Sequence, residues 1–351
     1  MPAALFFVAL ACRLPRCPLT APTAIAAFCA GLRDVVLATP GRSVLLTGPS
    51  DPDGDSIGAC LGLAQALRQL GVSDVTVSGT PGARYRFLPG AAQMVPDHLV
   101  RDDYHVVIVL DGDRHRLHPV VATAFASARA RVILDHHRST RAIGYELSLI
   151  VPDAASTCEL VVAVLDAWGL PLDAPLATVL YTGVVFDTGG FRHANTQPAT
   201  FALAARLIAT GIDHSAITNR VLYERRAPGI RLLGRALAGA TLEDGLAWAA
   251  VRLADIQAVN GVYTDLEGIV DQLLLTEGVE LACLFIERDP GRVKLSLRSR
   301  AQVDVSRLAR SLDADGGGHR RAAGVELHDS MDTILERVPP LLAAALAASV
   351  G

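Results

Sequence analysis

Three aspartates crowd the stretch Asp51-Pro52-Asp53-Gly54-Asp55, directly after the apolar run Val44-Leu45-Leu46. Like charges that close repel, so solvent, a helix N-terminus or a cation must compensate them. Further acidic groups follow other apolar runs: Asp111 ends "HVVIVLD", Asp135 leads into His136 and His137, and Asp187 sits in "VVFDTGGF". A solvated loop would account for one such turn. Repetition at several strand ends favours a metal, because those ends converge in a parallel sheet. Carboxylates with imidazole suit Mn²⁺, with Mg²⁺ or Co²⁺ as alternatives. Two cations sharing a carboxylate make a site for hydrolysis of a phosphate ester. Glycines 54, 58, 189 and 190 would let backbone approach the ligands closely.

The elements that must position these groups are readable from hydrophobic pattern. Residues 43–48 form a short buried strand, followed by the acidic loop and a helix from about Ser56 to Gly71; Val75–Val77 suits a second strand. "HVVIVLD" (105–111) and "RVILD" (131–135) read as central parallel strands whose carboxyl ends face a ligand. "STCE" (156–159) matches a capping box opening a helix to about Trp168. Residues 177–196 read as a helix and a glycine-rich turn, and 22–38, 197–211 and 228–238 as helices. Strands alternating with helices predict a doubly wound parallel-sheet α/β domain over residues 22–226. Beyond it, "LAWAAVRL", "LACLFIER" and "RVKLSLRS" have strand character and predict a smaller α+β domain over 240–350. The active site is expected in the cleft between the two.

Composition sets outer limits. The 351 residues are 51% hydrophobic and 19% charged, as in a globular protein, and the net charge of −4 supplies no global attraction to nucleic acid. An anionic substrate must therefore meet a local patch. Lys294 is the only lysine among 32 basic residues, so phosphate contacts fall to arginine, whose fork suits them. The six cysteines are scattered without metal-type spacing and read as buried free thiols of a reducing compartment. The apolar stretch 3–11 is too short to span a membrane and has no preceding positive charge, so it reads as a ragged start rather than a signal peptide. A cytoplasmic protein without a membrane partner is expected.

"DPDGDSIGA", "VLDGDRHRL", "LDHHRS" and "GVVFDTGGFR" resemble the four motifs of the DHH phosphoesterase family, in that family's order. "VKLSLRSR" and "DGGGHRRAAG" resemble its associated C-terminal substrate domain, so the likeness covers roughly residues 40–330. Within the family the chain looks most like the short-RNA nuclease (nano-RNase) and 3′-phosphoadenosine-5′-phosphate phosphatase subgroup. The resemblance implies that Asp53 holds one metal, Asp55 the other, and Asp111 bridges both, with His136 and Asp187 completing the ligand set of the second metal. It implies that His137 contacts the scissile phosphate or leaving oxygen, and that water activated by two cations is the nucleophile. Asp135 is expected to orient His136 rather than to bind metal.

In the second domain, residues 316–319 are expected to turn backbone N–H groups of Gly317 and Gly318 towards a phosphate, with His319 adding a donor. Arg298 and Ser299 would hold a second phosphate or a base. The substrates implied are short RNA oligonucleotides or nucleotide phosphates; a homodimeric state stays open. Many members of the family carry a histidine four residues before the first aspartate of the pair, where this chain has Pro49. Rival readings within the superfamily are a cyclic-dinucleotide phosphodiesterase, a RecJ-type single-strand exonuclease and a polyphosphatase. A rival of another class is a non-catalytic nucleotide-binding protein.

Overall fold

The computed structural model describes residues 22–37, 42–300 and 303–350, so the apolar start at 3–11, Cys12 and Cys17 lie outside the described residues. The chain divides into two compact units, one up to Glu224 and one from Arg225.

The first unit is built on strands β1 (Ser43–Thr47), β2 (Asp74–Val77), β3 (Val106–Leu110), β4 (Ala130–Asp135) and β5 (Leu147–Ile150). All pair in parallel, in the order β2-β1-β3-β4-β5. Every residue of β1 and β3 is buried, which is why these segments read as unbroken apolar runs rather than alternating ones. β5 escapes the sequence pattern because its four residues include an exposed serine and no apolar run. Its helices are α1 (Pro22–Leu37), α2 (Gly54–Gln69), α3 (Pro119–Ser127), α4 (Thr157–Trp168), α5 (Ala174–Asp187), α6 (Pro198–Ile208) and α7 (His214–Thr218). One core layer packs Leu46, Ile108 and Leu134 against side chains of α1, α2, α4 and α5; the opposite layer packs Leu45, Val107 and Val109 against α3. The doubly wound expectation holds. The strand order reverses between β1 and β3, and ligands of such sheets sit beyond the carboxyl ends of the strands at that reversal.

The second unit contains α8 (Ala227–Ala238), β6 (Thr241–Glu243), β7 (Leu246–Val251), α9 (Leu253–Ala258), α10 (Ile269–Leu274), β8 (Leu281–Asp289), β9 (Arg292–Ser299), α11 (Val305–Leu312), β10 (Gly317–His319), β11 (Ala322–Leu327) and α12 (Met331–Val350). Its six strands form one mixed sheet, ordered β10-β11-β9-β8-β7-β6. Leu232, Ile256 and Ile269 cover Ala282, Leu284 and Ile286 on one face, while Val305, Ile334 and Val338 cover Cys283, Phe285 and Leu295 on the other. Among the described residues no helix is long and apolar enough to cross a membrane.

Candidate metal centre

The acidic loop after β1 runs straight into α2, and Asp53 is that helix's N-cap. Its Oδ1 accepts the backbone N–H groups of Asp55 (3.0 Å) and Ser56 (3.1 Å). Asp55, wholly buried, faces the N-terminus of α4, where Thr157 N–H donates to Oδ2 (2.6 Å) and Cys158 N–H to Oδ1 (2.9 Å). Two helix N-termini thus offset part of the charge of the aspartate pair. Asp111 follows β3 in a left-handed conformation (φ 60°), which aspartate adopts more readily than most residues. Ser56 Oγ donates to its Oδ2 (2.6 Å) and Thr157 Oγ1 to its Oδ1 (3.1 Å), so both carboxylate oxygens are aimed. Asp187 closes α5, and Gly183 on that helix lets α5 approach Asp55: a Cβ there would come within 2.5 Å of Asp55 Oδ1.

One donor atom each from Asp55, Asp111, His136 and Asp187 lies within 4.8 Å of the others, from segments spread over more than a hundred residues. His136 Nε2 is 2.9 Å from Asp187 Oδ2, 3.5 Å from Asp111 Oδ1 and 3.9 Å from Asp55 Oδ2. It is buried and makes no hydrogen bond among the described residues, despite these neighbours. Two ligands held about 2.1 Å from one ion at a right angle lie about 3 Å apart. The donor set therefore fits a single divalent cation. Asp111, His136 and His137 form a second such group. Asp53 belongs to neither.

The electrostatics express the same crowding. Burial, then the charges of Asp111 and Asp187, push the Asp53 carboxyl up to about 8. Burial and the same two neighbours raise Asp55. Burial would also raise Asp111, but His136, His137 and the Ser56 hydroxyl outweigh it and leave that carboxyl at about 2. Burial opposes a charged His136, and the carboxylates of Asp111, Asp187 and Asp55 overcome it and raise its pKa.

The partner expected for Asp135 is corrected. Asp135 Oδ1 lies 2.7 Å from Nδ1 of His137, whereas the ring of His136 turns its Nδ1 to the Ala154 carbonyl (3.2 Å). Asp135 holds His136 only through its backbone N–H (2.7 Å). Its second oxygen accepts from the Thr140 hydroxyl. Ser56, Thr140, Thr157 and the Ala154 carbonyl are contributors that motif reading missed. Ser56 and Thr157 follow acidic or capping residues directly, which is a usable signal, but a carbonyl has none.

In the second unit, alternation along β9 puts Arg292, Lys294, Ser296 and Arg298 on one face. Arg298 Nε donates to Asp271 Oδ1 (2.8 Å), and its side chain keeps partial exposure. Ser299 does not join that face: it is buried on the other side, and its hydroxyl donates to the Val303 carbonyl (2.7 Å). The segment 316–319, expected to cradle an anion, also has a structural task. Gly317–His319 is a short edge strand, paired with β11 as Gly317↔Gly324, Gly318↔Ala323 and His319↔Ala322. Gly318 has φ 138°, and a Cβ would strike the Ala322 carbonyl at 2.5 Å, so glycine is required for the pairing itself. The His319 side chain lies outside the described residues.

Comparison with known proteins agrees with this anatomy. Residues 43–184 match the N-terminal domain of the DHH family, and residues 258–348 match the DHHA1 domain. The chain is 32% identical to the Thermus thermophilus protein named bifunctional oligoribonuclease and PAP phosphatase NrnA, over 82% of this chain and 85% of that protein. The Bacillus subtilis protein of the same name is 26% identical over 81% and 90%. In fold, the chain resembles an exopolyphosphatase-related protein from Bacteroides fragilis, with TM-score 0.83, 23% identity, and 91% and 96% of the two chains covered. A likeness that runs through both units, and includes the strand ends where the carboxylates and imidazole meet, has one conclusion: the chain belongs to the DHH family of phosphoesterases.

Proposed function

We propose that the protein hydrolyses short oligoribonucleotides and 3′-phosphoadenosine-5′-phosphate with two divalent cations, Mn²⁺ before Mg²⁺ or Co²⁺. The observation that supports this reading is the convergence of Asp55, Asp111, His136 and Asp187 in a chain whose relatives are named for that pair of activities. Asp55, His136 and Asp187 would hold one cation and Asp53 the other, with Asp111 contributing to both. When bound, the cations supply Lewis-acid charge to the phosphoryl group and lower the pKa of the attacking water.

The chain's own residues do the rest. Ser56 and Thr157 hydroxyls hold the Asp111 carboxylate, one on each oxygen. His137, fixed through Nδ1 by Asp135, contacts the scissile phosphate or the leaving oxygen. Residues 22–226 carry the chemistry and 240–350 the substrate contacts, through Arg298, Gly317, Gly318 and His319. Ser299 is left out because its hydroxyl is already spent on Val303. The buried thiols Cys29, Cys60, Cys158 and Cys283 suit a reducing cytoplasm.

The deciding experiment is a substrate panel with purified protein and Mn²⁺: di- to pentaribonucleotides, 3′-phosphoadenosine-5′-phosphate, cyclic dinucleotides, pyrophosphate and polyphosphate. Preference for the first two supports the proposal. Preference for cyclic dinucleotides or polyphosphate would move the protein elsewhere in the superfamily, and no turnover on any of them would favour nucleotide binding alone.

A further inference from the structure

We infer that Asn195 is a positioning residue for the cation site, its amide fastening the backbone behind Asp187 to the segment that holds His136 and Asp55. The inference rests on Asp55, Asp111, His136 and Asp187 being cation ligands. Asn195 Nδ2 donates to two main-chain carbonyls, Ala155 at 2.9 Å and Asp187 at 3.2 Å. Carbonyls only accept, so the amide nitrogen must face them and the orientation of the side chain is settled by its partners.

Each carbonyl stands beside a ligand. Asp187 is itself one. Ala155 follows Ala154, whose carbonyl lies 3.2 Å from His136 Nδ1, and precedes Thr157 and Cys158, whose N–H groups hold the Asp55 carboxylate. One side chain therefore spans the two backbone segments that orient three of the four converging groups. The intervening turn is shaped to bring Asn195 back to that place. Gly189, Gly190 and Phe191 adopt φ values of 55°, 69° and 67° in succession. The His193 ring occupies the space a Cβ on Gly189 would need, and His193 Nδ1 lies 2.9 Å from the same Asp187 carbonyl. A phenylalanine in the left-handed region is a strained choice, held only where the surroundings impose it. Asn195 Oδ1 is buried without a partner among the described residues, a cost that its Nδ2 bonds must offset.

Asn195→Ala and the near-isosteric Asn195→Asp, whose carboxylate would repel both carbonyls, test this against wild type. Mn²⁺ affinity is read by calorimetric titration. In chelator, thermal melting and backbone hydrogen exchange over residues 154–158 and 187–196 are read without metal. Both variants should bind Mn²⁺ about 10–100-fold more weakly. Exchange in the two segments should quicken while the metal-free melting temperature stays near that of wild type. Unchanged affinity and exchange would overturn the role. So would a loss of affinity matched by a general loss of metal-free stability, which would make Asn195 a packing residue only. Wild-type protein that takes up no Mn²⁺ would overturn the cation reading itself, a failure recognisable without any variant.

Discussion

His137 Nδ1 lies 2.7 Å from Asp135 Oδ1, and that oxygen also accepts the backbone N–H groups of both histidines. Asp135 thereby commits one ring nitrogen of His137 and anchors the turn that carries His136. Asp135→Asn keeps the shape and removes the charge facing the ring. Turnover should fall about 10–100-fold, the usual effect of losing a residue that orients a functional imidazole. Mn²⁺ uptake should be nearly intact, because the His136 ring answers to Ala154 instead. Steady-state kinetics on protein of verified metal content decides this; an equal loss of Mn²⁺ uptake would route the effect of Asp135 through His136.

Removing metal should expose the charge problem that the site contains. Exhaustive chelation should abolish hydrolysis, and Mn²⁺ should restore it. Mn²⁺ should also raise the melting temperature, since a ligand at a hundred times its Kd stabilises by about 2.7 kcal/mol. Asp111→Ala should lower turnover by about a hundredfold or more, because both candidate donor groups include Asp111. Full activity in chelated protein would defeat the metal mechanism.

The contact between α5 and α2 offers a test independent of any ligand residue. A Cβ on Gly183 would collide with Cys158 Sγ and lie 3.0 Å from Asp55 Cα. Gly183→Ala must push the helices apart, at an overpacking cost of about 1–3 kcal/mol. A lowered metal-free melting temperature and weaker Mn²⁺ binding are expected together. A variant with wild-type melting and Mn²⁺ affinity would show that the helices can yield without moving Asp55.

What sequence could and could not reveal follows from where each interaction resides. The aspartates at strand ends were legible because a strand buried on both faces is an unbroken apolar run, and its end is where polarity returns. The α4 N-cap was legible in "STCE", and Ser156 Oγ does accept the Glu159 N–H at 3.2 Å. The reciprocal arm differs: Glu159 accepts the N–H of Ala155 rather than that of Ser156. The pairing of Asp135 with His137 is not legible, because the partner of the His136 ring, the Ala154 carbonyl, is main chain and has no residue signature. The separation of Ser299 from Arg298 is legible, since alternation along a strand puts neighbouring residues on opposite faces. The glycines at 316–318 were ambiguous in principle. Freedom from a Cβ serves a cradle for anions and a closely paired edge strand equally well.

Pro49 tests the departure from the family. It is buried, with its Cγ 3.0 Å from where a Cβ on Gly112 would lie, so this position beside the Asp111 turn is apolar and close-packed. Pro49→His introduces a nitrogen donor four residues before Asp53, which stands outside both donor groups. If the backbone places that imidazole, a second Mn²⁺ should bind more tightly and activity should saturate at lower Mn²⁺. An unchanged Mn²⁺ titration in the folded variant would mean the ring cannot reach, or that Asp53 is already served.

Arg298 carries the last test, that of substrate length. Its guanidinium is held by Asp271 Oδ1 at 2.8 Å and by the Leu297 carbonyl at 3.1 Å, which pre-sets the side chain before any substrate arrives. A charge-assisted contact from it to a phosphate is worth about 1.5–3 kcal/mol, so Arg298→Ala should raise KM by about 10–100-fold with a smaller effect on kcat. Variants of the candidate metal ligands should do the reverse. If Arg298 grips the far end of a short substrate, a chain that continues past it loses that grip, and wild-type rates should fall steeply with length. In Arg298→Ala the same fall should flatten, because short and long substrates then lack the contact alike. The measurement is a series of end-labelled RNAs from dinucleotide to 24-mer on both proteins. Equal wild-type rates across the series would refute the far-end grip and favour a processive exonuclease.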